Sequence, residues 1–141
     1  MSRDDGSTLP LTIFYGFLAL VLVLLAVAAT SLYLERKRLF TLADGAALVG
    51  SEAFALDDVH ATAAGYRPTL ESRDVSAAVT SYLSSTPTAD FTGLHLERAA
   101  SDDGRSATVQ LSAYWRPPVL SLLVPEGLRI EVTAVARSVF S

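Results

Sequence analysis

From Thr8 to Leu34 the chain carries no charged side chain, and Leu11 to Leu34 reads LTIFYGFLALVLVLLAVAATSLYL. At a rise of about 1.5 Å per residue, a helix over Leu11–Leu34 is about 36 Å long, enough to cross a hydrocarbon core of about 30 Å with some tilt. A helix apolar on every face for that length has few places to hide in a chain of 141 residues. It is also longer than the h-region of a secretory signal, about 7–15 residues, and its Ala-rich site at Ala26–Ala29 falls inside the run. The sequence therefore predicts a transmembrane helix over 11–34, after an N-terminal tail over 1–10.

The run stops at Glu35-Arg36-Lys37-Arg38, yet helix-forming residues carry on with no Pro to break them. Arg36, Lys37 and Arg38 form a basic collar suited to anionic headgroups. Beyond it, Leu39, Leu42, Ala46, Val49, Ala53 and Leu56 recur at spacings of 3 and 4, a heptad stripe. Most members are small, and Gly45 and Gly50 lie beside them. Small residues permit close approach but bury little per turn, and each Gly costs about 1 kcal/mol against Ala in a lone helix. This membrane-proximal extension, residues 35–56, thus needs a neighbour. Either the stripe packs on the chain's own C-terminal part, or it is an assembly interface for helices of other subunits. Unbroken from Pro10 to Leu56, the helix would be about 70 Å long. Asp57-Asp58 end it, and Gly65 and Pro68 mark a loop.

Residues 57–141 read as a small α+β domain. Ser72 or Asp74 can cap a second helix whose apolar face is Val75, Ala78, Val79, Tyr82 and Leu83, ending before Pro87. Three strands follow: Phe91 to Arg98, Ser106 to Trp115 and Leu128 to Ala136, the last two alternating strictly. An Asp-Gly turn at Ser101–Arg105 joins the first pair. The fold class expected is α+β: a long N-terminal transmembrane helix continuing into one further helix and a three-stranded antiparallel sheet, pilin-like in layout. The sheet's apolar face wants a cover, and the second helix and upper long helix can supply it. Pro117 to Gly127 is too short to span a bilayer. It is either a crossover or short helix plugging the sheet's open end, or an exposed apolar knob for a partner or the bilayer surface.

Chemistry is sparse. There is no Cys, which excludes disulfides, thiol nucleophiles and Cys-held metals. His60 and His95 lie in different elements without a ligand-spaced partner. Asp74-Val75-Ser76-Ala77-Ala78 approaches the Asp-x-Ser-x-Ser metal motif of von Willebrand-type adhesion domains, but its last Ser is Ala78. No catalytic set, cofactor site or small-molecule site is expected, so the chain reads as no enzyme. From Leu39 onward seven Arg face twelve Asp and Glu, which argues against nucleic acid as a partner.

Asp5-Gly6-Ser7 with Pro10-Leu11 before the run, Arg36 to Arg38 after it, and above all Leu42-Ala43-Asp44-Gly45-Ala46-Ala47-Leu48 resemble the short TadE/TadG-like proteins of Flp (tight-adherence) pilus assembly. The likeness covers about residues 4–54. It implies a pseudopilin-like or minor-pilin-like protein that helps assemble or anchor a pilus or related secretion system. The partners it implies are other pilus subunits, met through helix packing. The location it implies is the bacterial cytoplasmic membrane, single-pass, with the C-terminal domain extracytoplasmic. The processing site that the resemblance would place here is Gly6-Ser7, but the next residues speak against cleavage there. Prepilin-peptidase substrates set a Glu five residues after the cleaved Gly, and here Leu11 stands there, so a permanent membrane protein is expected rather than a major pilin. The three bases after the run point the other way, towards a cytoplasmic C-terminal domain. The family placement is preferred because acids weigh little in that rule and the imbalance is about one or two charges. The alternative function is a bitopic envelope interaction or sensor protein unrelated to pili.

Overall fold

The structure is a computed structural model and describes residues 5–53, 69–117 and 119–138. The expected α+β architecture is present. Helix α1 is Asp5–Ser51, α2 is Ser72–Ser85, and strands β1 (Thr92–Ala100), β2 (Ser106–Trp115) and β3 (Leu128–Arg137) form one antiparallel sheet in the order β1-β2-β3. A 3-10 turn at Leu120–Leu122 sits between β2 and β3. The chain divides into two compact units, Met1–Leu34 and Glu35–Ser141.

The first unit holds the apolar part of α1. Its large side chains, Leu11, Phe17 and Val23 among them, stand exposed all round. The helix begins at Asp5, not Pro10, and Pro10 lies within it. So near the N-terminus the missing Pro N–H removes one early hydrogen bond and leaves the helix intact. Thr12 and Thr30 turn their hydroxyls onto the carbonyls of Thr8 and Ala26 at 2.8 and 2.9 Å, satisfying polar groups within an apolar stretch.

The second unit contains the rest of α1 together with α2 and the sheet. Helical backbone continues through the collar but stops at Ser51, short of the expected Leu56. The last turn tightens there: the Glu52 and Ala53 N–H groups bond the carbonyls of Val49 and Gly50 at 3.3 and 3.2 Å, and Ser51 Oγ bonds Leu48 O at 2.8 Å. Leu56, Asp57, Asp58, His60, Gly65 and Pro68 lie outside the described residues. Helix α2 is capped by neither Ser72 nor Asp74. Its N-cap is Glu71, without a side-chain bond, because Ser72 Oγ is engaged elsewhere. That hydroxyl donates to Ser101 O and accepts from Ser101 N–H, both at 3.0 Å, tying the helix start to the end of β1.

The core is one layer of helices on one face of the sheet. Ala107, Val109, Leu111, Ala113 and Trp115 of β2 and Ile130, Val132 and Ala134 of β3 are buried, as alternation demands. Leu128 is the exception, half out at the strand's start. Val75 and Val79 of α2 are fully buried, with Ala78, Tyr82 and Leu83 half-buried beside them. From α1 come Leu39, Leu42, Ala43, Ala46 and Ala47.

Pairing and contacts fix which loops share an end of this unit. Helix α2 has its first residue, Ser72, bonded to Ser101 and its C-cap at Thr86, a few residues before Thr92, which pairs with Tyr114. It therefore runs alongside β2, from the Ala107 end to the Trp115 end. Helix α1 runs the opposite way, since Gly50 lies beside Val75, Val79 and Ala107 and Gly45 beside Tyr82. One end gathers Ser51, Ser72 and the β1–β2 turn. The other gathers Glu35–Arg38, the end of α2 and the β2–β3 connection.

Candidate assembly surface

Within the second unit, α1 has two unlike faces. The inner face is the small-residue stripe. Leu39, Leu42 and Ala46 are buried, Val49 and Ala53 half-buried, while Leu56 lies outside the described residues. Of the two uses open to the stripe, packing on the chain's own domain is the one observed, and Leu39, Leu42 and Ala46 are not free for a second subunit. The two glycines make the close fit. A Cβ on Gly50 would meet Val75 Cγ1 at 3.1 Å and Ala107 Cβ and Val79 Cγ2 at 3.2 Å. One on Gly45 would stand 2.5 Å from the Tyr82 hydroxyl oxygen.

The outer face carries Lys37, Phe40, Thr41, Asp44 and Leu48, spaced 3, 1, 3 and 4 along α1. Phe40 is 47% exposed and Leu48 53%. Two large apolar side chains, one acid and one base on an open helical face suit docking of another helix. The heptad reading missed this face because it followed period alone. Residue size was the signal: the bulky Phe40 and Leu48 stand off the stripe, and the stripe itself is built to let a backbone come close. The collar residues Arg36, Lys37 and Arg38 are all exposed.

The polar face of the sheet is crosslinked by charge. Glu97 Oε1 accepts from Ser112 Oγ and from Arg129 Nη2, each at 2.6 Å, and Arg129 also reaches Glu131 at 3.2 Å. Gln110 donates to the other oxygen of Glu131. The Ser112 hydroxyl, then Arg129, hold the Glu97 carboxyl below its usual range, and Glu97 in turn raises Arg129. In the β1–β2 turn the Asp103 carboxylate accepts from Arg105 N–H at 2.9 Å, Ser106 N–H at 2.7 Å and Ser106 Oγ at 2.9 Å, which lowers its pKa to about 2. These carboxylates serve the sheet and the turn. No three His, Cys, Asp or Glu gather as a metal site among the described residues, and His95 is exposed on β1.

Gly6 and Ser7 fall in the first turn of α1. The uncharged part of this helix is long and apolar enough to cross a membrane. Residues 6–64 match the model of the Tad family, TadE/G-like proteins of Flp pilus assembly. No curated protein and no solved structure matches the chain.

Proposed function

We propose, on the premise of a family match that covers α1 and stops before α2 and the sheet, that this chain is a membrane-anchored, pseudopilin-like subunit assisting assembly or anchoring of a Flp/Tad-type pilus or related secretion system. Its action is assembly, not catalysis, and it takes no cofactor. The span holds it in the bacterial cytoplasmic membrane as a single-pass protein, with the α+β domain outside the cytoplasm. The outer face of α1, centred on Phe40, Asp44 and Leu48, meets helices of other pilus subunits.

The observation that carries this reading is the two-faced helix. The matched segment keeps one side for its own domain and leaves two large apolar side chains exposed on the other. An isolated Leu or Phe on a surface needs no partner, but two on one helical face just over two turns apart mark a contact strip.

The test is Phe40→Glu with Leu48→Glu in the full chain, co-expressed with its pilus-assembly components and recovered from detergent-solubilised membranes. Co-purification is lost, while membrane insertion and thermal unfolding stay as in the parent. Undiminished co-purification would sink the outer-face assignment. A C-terminal alkaline phosphatase fusion that is active, beside a fluorescent-protein fusion that is dark, gives the sidedness, and the reverse pattern overturns it.

A further inference from the structure

We propose that the connection between β2 and β3 is a second membrane contact, with Leu122 and Leu123 inserted into the bilayer interface beside the basic collar. The proposal rests on the membrane-spanning reading of α1.

Three observations carry it. Leu122 and Leu123 are 84% and 80% exposed, the most exposed large apolar residues among the described residues. They are also held in place. Ser121 N–H bonds Pro117 O at 3.0 Å, the Leu123 and Val124 N–H groups bond Leu120 O at 3.0 and 2.7 Å, and Gly127 N–H bonds Val124 O at 3.1 Å. A turn fixed by four backbone bonds presents its side chains without the ordering entropy that a loose loop would lose on insertion. Pro117 is buried and Leu120 half-buried, so the base of the turn is anchored in the domain.

The second observation is charge. From Pro117 to Pro125 the sequence PPVLSLLVP has no ionisable side chain, and Arg116 and Glu126 bracket it. No charged side chain within the turn needs to stay in water.

Place is the third, and it selects the occupant. The connection lies at the same end of the second unit as Glu35–Arg38, where the apolar run gives way to Arg36, Lys37 and Arg38. A basic collar marks the headgroup layer of a spanning helix. Aliphatic side chains displayed at that level meet the boundary between headgroups and acyl chains, where shallow burial of apolar surface is favourable. The opposite end, with Asp102, Asp103 and Arg105 exposed on its turn, is charged.

The experiment uses the chain's freedom from Cys. Full-length Leu123→Cys, Phe17→Cys and Arg105→Cys are each labelled with an environment-sensitive nitrobenzoxadiazole fluorophore and reconstituted into phosphatidylcholine–phosphatidylglycerol vesicles. Spin-labelled lipid carrying its nitroxide near the top of the acyl chain, and aqueous iodide, are the quenchers. The label at Leu123→Cys loses most of its emission to the lipid quencher and little to iodide, and Arg105→Cys shows the reverse. If Leu123→Cys behaves like Arg105→Cys while Phe17→Cys is quenched by lipid, the proposal fails and the span stands. Shielding of Leu123→Cys from both quenchers means another protein copy covers the turn, which overturns the proposal. No lipid quenching at Phe17→Cys removes the span and the second contact together.

Discussion

Gly45 faces Tyr82 so closely that a methyl group on the glycine would stand 2.5 Å from the phenolic oxygen. The hydroxyl is the far end of a half-buried side chain and can swing aside. Ala adds about 1 kcal/mol of helix propensity over Gly. Gly45→Ala therefore changes stability little, and Gly45→Ala in a Tyr82→Phe background, where the nearest atom is gone and only the ring Cζ at 3.3 Å has to give, is more stable than Tyr82→Phe alone by up to about 1 kcal/mol. Chemical denaturation of the four proteins of the cycle measures this.

Gly50 has no such latitude. Its neighbours are the buried Val75, Val79 and Ala107, all within 3.1–3.2 Å of an added Cβ. Gly50→Leu overpacks a closed core and lowers stability by about 3 kcal/mol or more, read as a drop in Tm and loss of amide protection in α2.

Ala46 and Leu48 are two positions apart and should respond oppositely to a charge. Ala46→Asp buries an unpaired carboxylate at a fully buried position and destabilises the domain by several kcal/mol, on the order of 3–5. Leu48→Asp, on the open face, shifts stability by about 0.5 kcal/mol or less. Urea unfolding of the two variants separates the inner from the outer face without any partner present.

Acid should loosen the β1–β2 turn. The Asp103 carboxyl is depressed from 3.8 to about 2 by its bonds to Arg105 and Ser106. The folded pKa lies below the unfolded one, so its stabilisation is fully present above about pH 4 and is lost as pH falls towards about 2. Asp103→Asn flattens the pH dependence of stability across that window, as followed by thermal unfolding from pH 5 to pH 2.

Glu97 reports on its own neighbours. With Arg129→Met, both the hydrogen bond and the charge that Arg129 brings to its carboxyl are gone, and its pKa moves up towards the ordinary range. With Ser112→Ala, which removes the largest single cause, it moves up as well. Carboxyl-carbon NMR titration reads both. Stability changes little for Arg129→Met, because exposed ion pairs contribute about 0–1 kcal/mol.

The architecture was legible where local pattern decides it. Strict alternation over Ser106–Trp115 set β2 to the residue, and the 3.6-residue face of α2 pointed Val75 and Val79 inwards. The helix's passage through the collar was also readable, because no Pro interrupts Leu39–Ser51. Termini were less so. The helix stops at Ser51 through hydrogen bonds that tighten its last turn, and Ser72 gives up a cap for Ser101, a residue 29 positions away that no local rule sees. That Leu39, Leu42 and Ala46 are buried in the chain's own domain was not readable for a similar reason. A heptad repeat names a face to be buried but not what buries it, and here α2 and β2 do so.

The family match ends at residue 64, yet Gly45 and Gly50 fit against Tyr82, Val75, Val79 and Ala107, all beyond it. A seam in the shared sequence is thus not a seam in the packing. Transplanting residues 6–64 from a relative onto this sheet would carry over the outer face intact but set foreign side chains against four unmatched residues. A working chimera must exchange those four along with the helix.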